Sequence, residues 1–115
     1  MLKNRDTQLA LRVLARIQQH SIDAPILGHN LAAEFNTDIR KIADIVEQLR
    51  DGGHKIGSNK AKPMGYFLAR TPEELSPTIE RLRDTAKEIF ARTNRMADWG
   101  HKEPTIFEQQ LQPGQ

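Results

Sequence analysis

The fold is decided by the stretch from Leu31 to Asp51, which reads LAAEFNTDIRKIADIVEQLRD. Asn36 tolerates the left-handed backbone conformation, so its place between two helical patterns predicts a tight turn. After the turn, Thr37 or Asp38 can cap the free N–H groups of a second helix, which runs to the end of the stretch. The apolar positions of that helix recur at helical spacing: Ile42, Ile45, Val46 and Leu49. The stretch therefore predicts two helices joined by a tight turn.

The residues before this stretch add a helix and a short extended segment. Asp6 or Thr7 can cap a first helix that runs to about residue 19. Its apolar stripe consists of Leu9, Val13 and Ile17, flanked by Ala10 and Leu14. Pro25 stops helix formation but allows a brief strand, which we expect at residues 24–26. The helix that precedes the turn then spans about residues 29–35.

The residues after the stretch predict a β-hairpin. Gly52-Gly53 ends the helix, and strand candidates follow at residues 55–58 and 65–70. The loop between the two strands contains an Asn, a Pro and two Lys, so the hairpin is expected to have a basic tip.

A long helix is expected to form the C-terminal part. Thr71-Pro72-Glu73-Glu74 is a capping-box pattern that opens a helix, but Pro77 disfavours helix at the residue before it. We therefore expect the long helix to begin at Pro77 and to end near Trp99. Its apolar positions alternate in steps of four and three residues: Leu75, Ile79, Leu82, Ala86, Ile89, Thr93 and Met96. This is the spacing of a two-stranded coiled-coil seam.

The seam predicts a homodimer through the C-terminal helix. The expected interface residues are Ile79, Leu82, Ala86, Ile89 and Phe90. In the alternative, the helix folds back across the first helix and completes the core of a monomer, because the same spacing describes ordinary core-facing helices.

Composition excludes several classes of protein. A chain of 115 residues is shorter than the roughly 150 residues of a typical domain, so we expect one domain with an appended element. The absence of cysteine excludes disulfides and thiolate chemistry. The four histidines are far apart, and no glycine-rich phosphate loop is present, so we expect no metal, no cofactor and no enzyme activity. No apolar run approaches the ~20 residues that span a bilayer, and we expect a cytoplasmic protein that contacts no membrane.

Charge is distributed unevenly along the chain. Residues 1–70 carry 11 Lys and Arg against 7 Asp and Glu, whereas residues 71–115 carry 6 against 8. The strongest local bias lies between Gly52 and Arg70, where there is no acidic residue at all. A positive patch of this kind is a candidate contact for nucleic acid phosphates.

The two helices around Asn36 meet the requirements of a helix-turn-helix. Ala32 allows close helix approach, and the second helix has apolar residues on its inner side. With the hairpin that follows, the chain resembles the winged helix-turn-helix domains of biotin operon repressor and related bacterial regulators. The resemblance covers residues 6–70. It implies that the helix from Asp38 enters the major groove of DNA and that the hairpin lies as a wing against the backbone or minor groove.

The resemblance also implies roles for individual residues. Arg40 would read or anchor at the groove, with Lys41 near a phosphate. Apart from the resemblance, the chemistry of the bases allows Asp44 or Glu47 to accept a hydrogen bond from cytosine N4. In the wing, Lys60 and Lys62 would contact phosphate. Asn59 lies beside them and completes the predicted DNA-binding set.

Other interpretations remain open at this point. Arg40 and Lys41 could belong to a solvated helix face, and the wing lysines could serve solubility. Family members often carry several Arg at the start of the recognition helix, whereas this chain has one among acidic residues, which favours a protein-interaction module. The prediction is a small bacterial or phage transcription regulator, and the alternatives are that module and a replication accessory factor.

The predicted organisation has three parts. Residues 1–70 form the winged helix-turn-helix domain, residues 71–101 the dimerisation helix, and residues 102–115 a tail that we expect to be mobile unless a protein partner binds it.

Overall fold

The computed structural model describes residues 4–99, and within them it has four helices and one β-hairpin. The elements in chain order are α1 (Asn4–Ile17), α2 (Gly28–Glu34), α3 (Ile39–Asp51), β1 (Ile56–Asn59), β2 (Gly65–Leu68) and α4 (Pro72–Ala97). The predicted fold class is confirmed: the chain is mostly α with a small β-hairpin, a winged helix-turn-helix plus a long C-terminal helix. Helix α3 has the predicted ends, whereas α1 and α2 lie slightly nearer the N-terminus than predicted.

The core lies between the first three helices and the hairpin. The buried apolar side chains are Ala10, Val13, Leu14 and Ile17 of α1, Leu31 and Ala32 of α2, Ile42, Ile45, Val46 and Leu49 of α3, and Ile26, Ile56 and Phe67. The stripe expected for α3 is thus buried in full, and the stripe expected for α1 is buried except for Leu9, which is half-buried against the core. Each fully buried aliphatic side chain stabilises the fold by about 1.5–3 kcal/mol relative to its exposed state, so this cluster fixes how α3 lies against α1 and α2.

The hairpin is antiparallel, with Gly57 opposite Phe67 and Ser58 opposite Tyr66. Strand β1 has the predicted length but lies one residue later than predicted, and β2 stops at residue 68 instead of residue 70. The expected strand at residues 24–26 is reduced to one bridge, in which Ile26 and Tyr66 exchange two backbone hydrogen bonds of 2.9 and 2.8 Å. This bridge ties the segment before α2 to the second strand of the hairpin.

Helix α4 begins at Pro72, so the predicted start at Pro77 was wrong. Thr71 caps the helix by accepting a hydrogen bond from the amide of Glu74, as the capping-box pattern predicts. Pro77 lies inside the helix, where its missing N–H and its ring cost about 3 kcal/mol in an isolated helix. The next residue, Thr78, is buried and hydrogen-bonded to β1. This tertiary contact offsets the local preference on which the prediction relied.

The chain divides into two compact units, and the boundary falls within α4, after Arg81. The prediction placed it at residue 70, so the first turns of α4 group with the winged helix-turn-helix instead of with the rest of the helix. The predicted tail, residues 102–115, lies outside the described residues.

Candidate nucleic-acid interface

Asn36 makes the turn between α2 and α3. Its φ of 56° lies in the left-handed region, which Asn adopts more readily than most residues. The amide of Thr37 closes the turn by donating to the carbonyl of Ala32 at 2.8 Å. Asp38 then caps α3 by accepting a hydrogen bond from the amide of Lys41, also at 2.8 Å. The predicted turn and one of the two predicted caps are therefore confirmed, and together they set where α3 begins.

The outward side of α3, which we call the α3 face, consists of Ile39, Arg40, Asp44 and Glu47. All four residues are exposed because the buried stripe occupies the opposite side of the helix. The face carries one guanidinium and two carboxylates, so its charge is mixed. Ile39, at the first position of α3, is 42% exposed and adds an apolar side chain to this face.

Lys41 lies beside the α3 face and is half-buried. Its Nζ lies 3.6 Å from Oδ1 of Asp6 in α1. Both side chains remain more than a third exposed, and ion pairs in such positions contribute little to stability. Lys41 can therefore exchange Asp6 for a phosphate at small cost.

The wing, which we define as β1, β2 and the loop between them, carries basic residues and no acidic ones. Lys60, Lys62 and Met64 are exposed at its tip. The ion pairs found among the described residues are Lys41 with Asp6 and Arg16 with Glu34, so both wing lysines are without a carboxylate partner there. Their charge is available to a ligand.

Asn59 has a structural contact. Its side-chain amide donates a hydrogen bond of 3.0 Å to the carbonyl of Ile22, and the side chain is half-buried. This contact attaches the end of β1 to the segment that follows α1. A role for Asn59 in binding DNA remains a prediction, and it would have to coexist with or replace this bond.

The base of the wing holds a cluster that the sequence did not suggest: Arg50, Ser58, Thr78 and Arg81, which we call the Ser58 cluster. Arg81 donates from Nη2 to the carbonyl and to Oγ of Ser58, at 2.8 and 2.7 Å. Arg50 donates from Nε to the carbonyl of Ile56 at 2.9 Å and from Nη2 to Oγ of Ser58 at 3.4 Å. Two guanidinium groups thus converge on one hydroxyl oxygen.

Thr78 completes the cluster from α4. The side chain is 2% exposed, and its Oγ1 accepts a hydrogen bond of 3.1 Å from the amide of Ser58. The same hydroxyl lies 3.4 Å from the carbonyl of Ser58, to which it donates. At Ser58 the backbone of β1 is therefore held by α4.

Burial shifts the pKa of two side chains at the base of the wing, Arg50 and Tyr66. Burial is the main cause that lowers the pKa of Arg50. The negative charges of Tyr66 and Glu47 raise this pKa, whereas the positive charge of Arg81 lowers it further. Burial also raises the pKa of Tyr66, with Arg50 acting in the opposite direction. Tyr66 packs against the core, as expected from its place in the hairpin. The positive charge of Arg50 is thus partly desolvated.

The second unit contains the exposed part of the predicted seam. Leu82, Ile89 and Phe90 are 47%, 49% and 68% exposed, and Met96 and Trp99 beyond them are more exposed still. In the first unit, Ile79 is at the border between half-buried and exposed. Large apolar side chains at this spacing are covered in most helices of soluble proteins.

The predicted DNA-binding residues therefore fall into two groups. Arg40, Lys41 and Asp44 lie on or beside the α3 face, and Asn59, Lys60 and Lys62 lie on the wing. Arg50 joins the two elements, because it extends from the last turns of α3 to the carbonyl of Ile56 in β1. The residues that sequence reasoning missed are those of the Ser58 cluster. Arg50, Ser58 and Arg81 are distant along the chain, and the only available signal was the lack of acids around Ser58.

Among residues 4–99, no group of acidic or histidine side chains is arranged to hold a metal ion. Within that same range, no helix combines the length and apolar character needed to cross a membrane. Compared with known proteins, the chain matches no family model, no curated protein and no solved structure.

Proposed function

We propose that this protein binds double-stranded DNA through the α3 face and the wing, and that it acts as a small transcription regulator. The observation that carries the proposal is the pairing of a capped, outward-facing α3 with a wing whose two tip lysines have no carboxylate partner within the described residues. In a winged helix-turn-helix, α3 enters the major groove and the wing contacts the backbone. The cytoplasm or nucleoid is where such a protein would act.

The chemistry of each group suits a different part of the duplex. Lys60 and Lys62 are point charges on an exposed loop, which suits phosphate contacts that add affinity on any sequence. Arg40 is the single guanidinium of the α3 face, and an Arg can donate two hydrogen bonds to guanine O6 and N7. Asp44 suits the amino group of cytosine, although its charge also repels phosphate.

A homodimer through α4 belongs to the same proposal. Counted from the alternating steps, Leu82, Ile89 and Met96 occupy one core position of the heptad, and Ala86 and Thr93 the other. Pairing would cover the apolar side chains that are exposed in the single chain. Two recognition helices would then meet two half-sites about one duplex turn apart, so the expected site is a palindrome.

The test is selection from random-sequence duplex DNA, with sequencing of the retained fraction at two salt concentrations. The expected result is an enriched palindrome whose binding weakens with salt. A protein with Arg40→Ala provides the matched control, because it keeps the wing and should retain DNA with less sequence preference. Absence of binding by the unaltered protein even at low salt would contradict the proposal.

A second candidate function, a protein-interaction module, is favoured by the mixed charge of the α3 face. Asp44 and Glu47 are both exposed there, so the face carries two carboxylates against the single guanidinium of Arg40. Such a face fits a basic partner surface better than a phosphate backbone. The selection from random-sequence DNA distinguishes the two candidate functions, since a protein-interaction module would enrich no DNA sequence. A replication accessory factor would enrich DNA and differ only in the genomic location of its site.

A further inference from the structure

We propose that Arg50 and Arg81, at the Ser58 cluster, form a binding site for a phosphate-type oxyanion. The site is independent of the α3 face and of the wing tip, so the inference does not rest on DNA binding. The ligand chemistry is a tetrahedral phosphate group, whether of a free phosphate or of a nucleic acid backbone.

The first argument is unused hydrogen-bonding capacity. Arg81 donates only from Nη2, and Arg50 only from Nε and Nη2. Within residues 4–99, no acceptor is found for Nη1 of Arg50 or for Nε and Nη1 of Arg81. Each guanidinium therefore retains donors of the fork that binds phosphate in paired hydrogen bonds.

The second argument is uncompensated charge. Both guanidinium groups reach the same Oγ of Ser58, so two positive charges lie close together in a half-buried setting. Neither forms an ion pair with a carboxylate among the described residues. Like charges brought together out of water are unfavourable unless an anion joins them. Glu47, the acid that acts on Arg50, does so from the exposed α3 face without an ion pair.

The third argument is preorganisation. The carbonyls of Ile56 and Ser58 hold the two guanidinium groups, and Thr78 fixes the backbone of Ser58. Side chains that are already ordered lose less conformational freedom when a ligand binds. Ser58 supplies a weak neutral acceptor where a charged oxygen would bind more strongly, because hydrogen bonds to an ionised acceptor are roughly twice as strong.

The test is a titration of the full chain with inorganic phosphate at constant ionic strength, with chloride as the balancing anion. Nitrogen-15 NMR of the arginine Nε–H groups gives a separate signal for each arginine. We expect the signals of Arg50 and Arg81 to shift together and to saturate with one dissociation constant. The signal of Arg95, an exposed arginine in the second unit, is expected not to saturate.

Variants separate a specific site from general charge. Arg81→Gln should weaken phosphate binding at least about tenfold, because it removes a charged pair of donors. Arg95→Gln, which removes the same charge elsewhere, should leave binding unchanged. Ser58→Ala should keep or strengthen binding, since the hydroxyl competes for the same donors. Arg81→Lys keeps the positive charge but lacks the paired donors of the guanidinium group, and it replaces Arg81→Gln if that variant fails to fold. Its affinity for phosphate should lie between those of the unaltered protein and Arg81→Gln.

The outcomes decide the proposal. The proposal would be overturned if the signals of Arg50 and Arg81 shifted linearly with phosphate and no more than the signal of Arg95. It would also be overturned if both Arg81 variants bound phosphate as the unaltered protein does, or if Ser58→Ala lost phosphate binding. A DNA duplex added to the same sample identifies the source. If it moves the two signals and phosphate reverses this, the ligand is a backbone phosphate; if it does not, the ligand is the free anion. Failure of DNA binding leaves the phosphate titration intact, so the two proposals fail separately.

Discussion

The double variant Lys60→Ala and Lys62→Ala tests the wing most directly. Both side chains are exposed, and neither has an ion pair among the described residues, so their removal should not alter the fold. Surface substitutions of this kind usually change stability by less than about 0.5 kcal/mol. Any change in DNA binding would then report on contacts with the ligand.

The expected magnitude follows from counterion release. Each neutralised phosphate adds about 0.9 to the slope of log affinity against log salt concentration on duplex DNA. The loss of two contacts should therefore lower that slope by about 1.8 per protomer, or about 3.6 for a dimer. The affinity should fall on every sequence, because phosphate contacts carry no base information.

Fluorescence anisotropy of a labelled duplex, measured across a series of salt concentrations, gives the slope. The matched control is Lys87→Ala with Arg95→Ala, which removes the same charge from exposed positions of α4 outside the heptad core. The control should keep the slope of the unaltered protein. An unchanged slope in the wing variant, or an equal decrease in both variants, would refute the reasoning.

Four further predictions concern single residues. Arg40→Ala should lower the preference for the selected site by about tenfold or more, and an equal loss on all DNA in competition assays would make Arg40 a backbone anchor only. Ile89→Asp should give a folded monomer by light scattering, because Ile89 is 49% exposed in the single chain; a stable dimer would contradict the seam. Gly57→Ala should lower the free energy of unfolding by about 1–3 kcal/mol in denaturant titration. The reason is that the Cβ of the new alanine would lie 2.9 Å or less from three ring carbons of Phe67 on the opposite strand. Gly52→Ala is the control, with an ordinary φ of −79° and a nearest atom at 3.4 Å, and should be neutral or slightly stabilising. Tyr66 is the only tyrosine, and burial raises its pKa above the ordinary value of 10.0. The phenolate absorbance of Tyr66 should therefore appear at higher pH in the folded chain than in the unfolded chain. The stability that the protonated form contributes below pH 10.0 should be lost as the pH rises through the pKa of the folded state. A titration midpoint that is the same in the folded and unfolded chains would contradict this.

The buried stripes and the turn could be predicted because their causes are local. Helical spacing identifies the inner sides of α1 and α3, and an Asn before a capping Asp identifies the turn. Pro77 shows the limit of that reasoning. Its local preference against helix is real, but the buried hydroxyl of Thr78 bonds to Ser58, twenty residues earlier. Nothing in the sequence near Pro77 reveals that contact.

The Ser58 cluster could not be predicted for the same reason. Arg50 and Arg81 are each ordinary helix residues in the sequence, and Ser58 is an ordinary strand residue. They meet only because the hairpin packs between the end of α3 and the start of α4. The lack of acids near Ser58 was visible, but by itself it indicated a basic surface and not two convergent guanidinium groups.

The DNA and dimer proposals can be weighed together by counting cations. Lys41, Lys60 and Lys62 are the basic residues assigned to phosphates, so one protomer contacting three phosphates would have a salt slope of about 2.7 and a dimer about 5.4. Between about 50 and 200 mM salt, affinity would then fall about 40-fold for a monomer and about 2,000-fold for a dimer. A slope near the larger value would support both proposals. A slope near the smaller value would support DNA binding by separate protomers, and the exposed apolar side chains of α4 would then need another occupant.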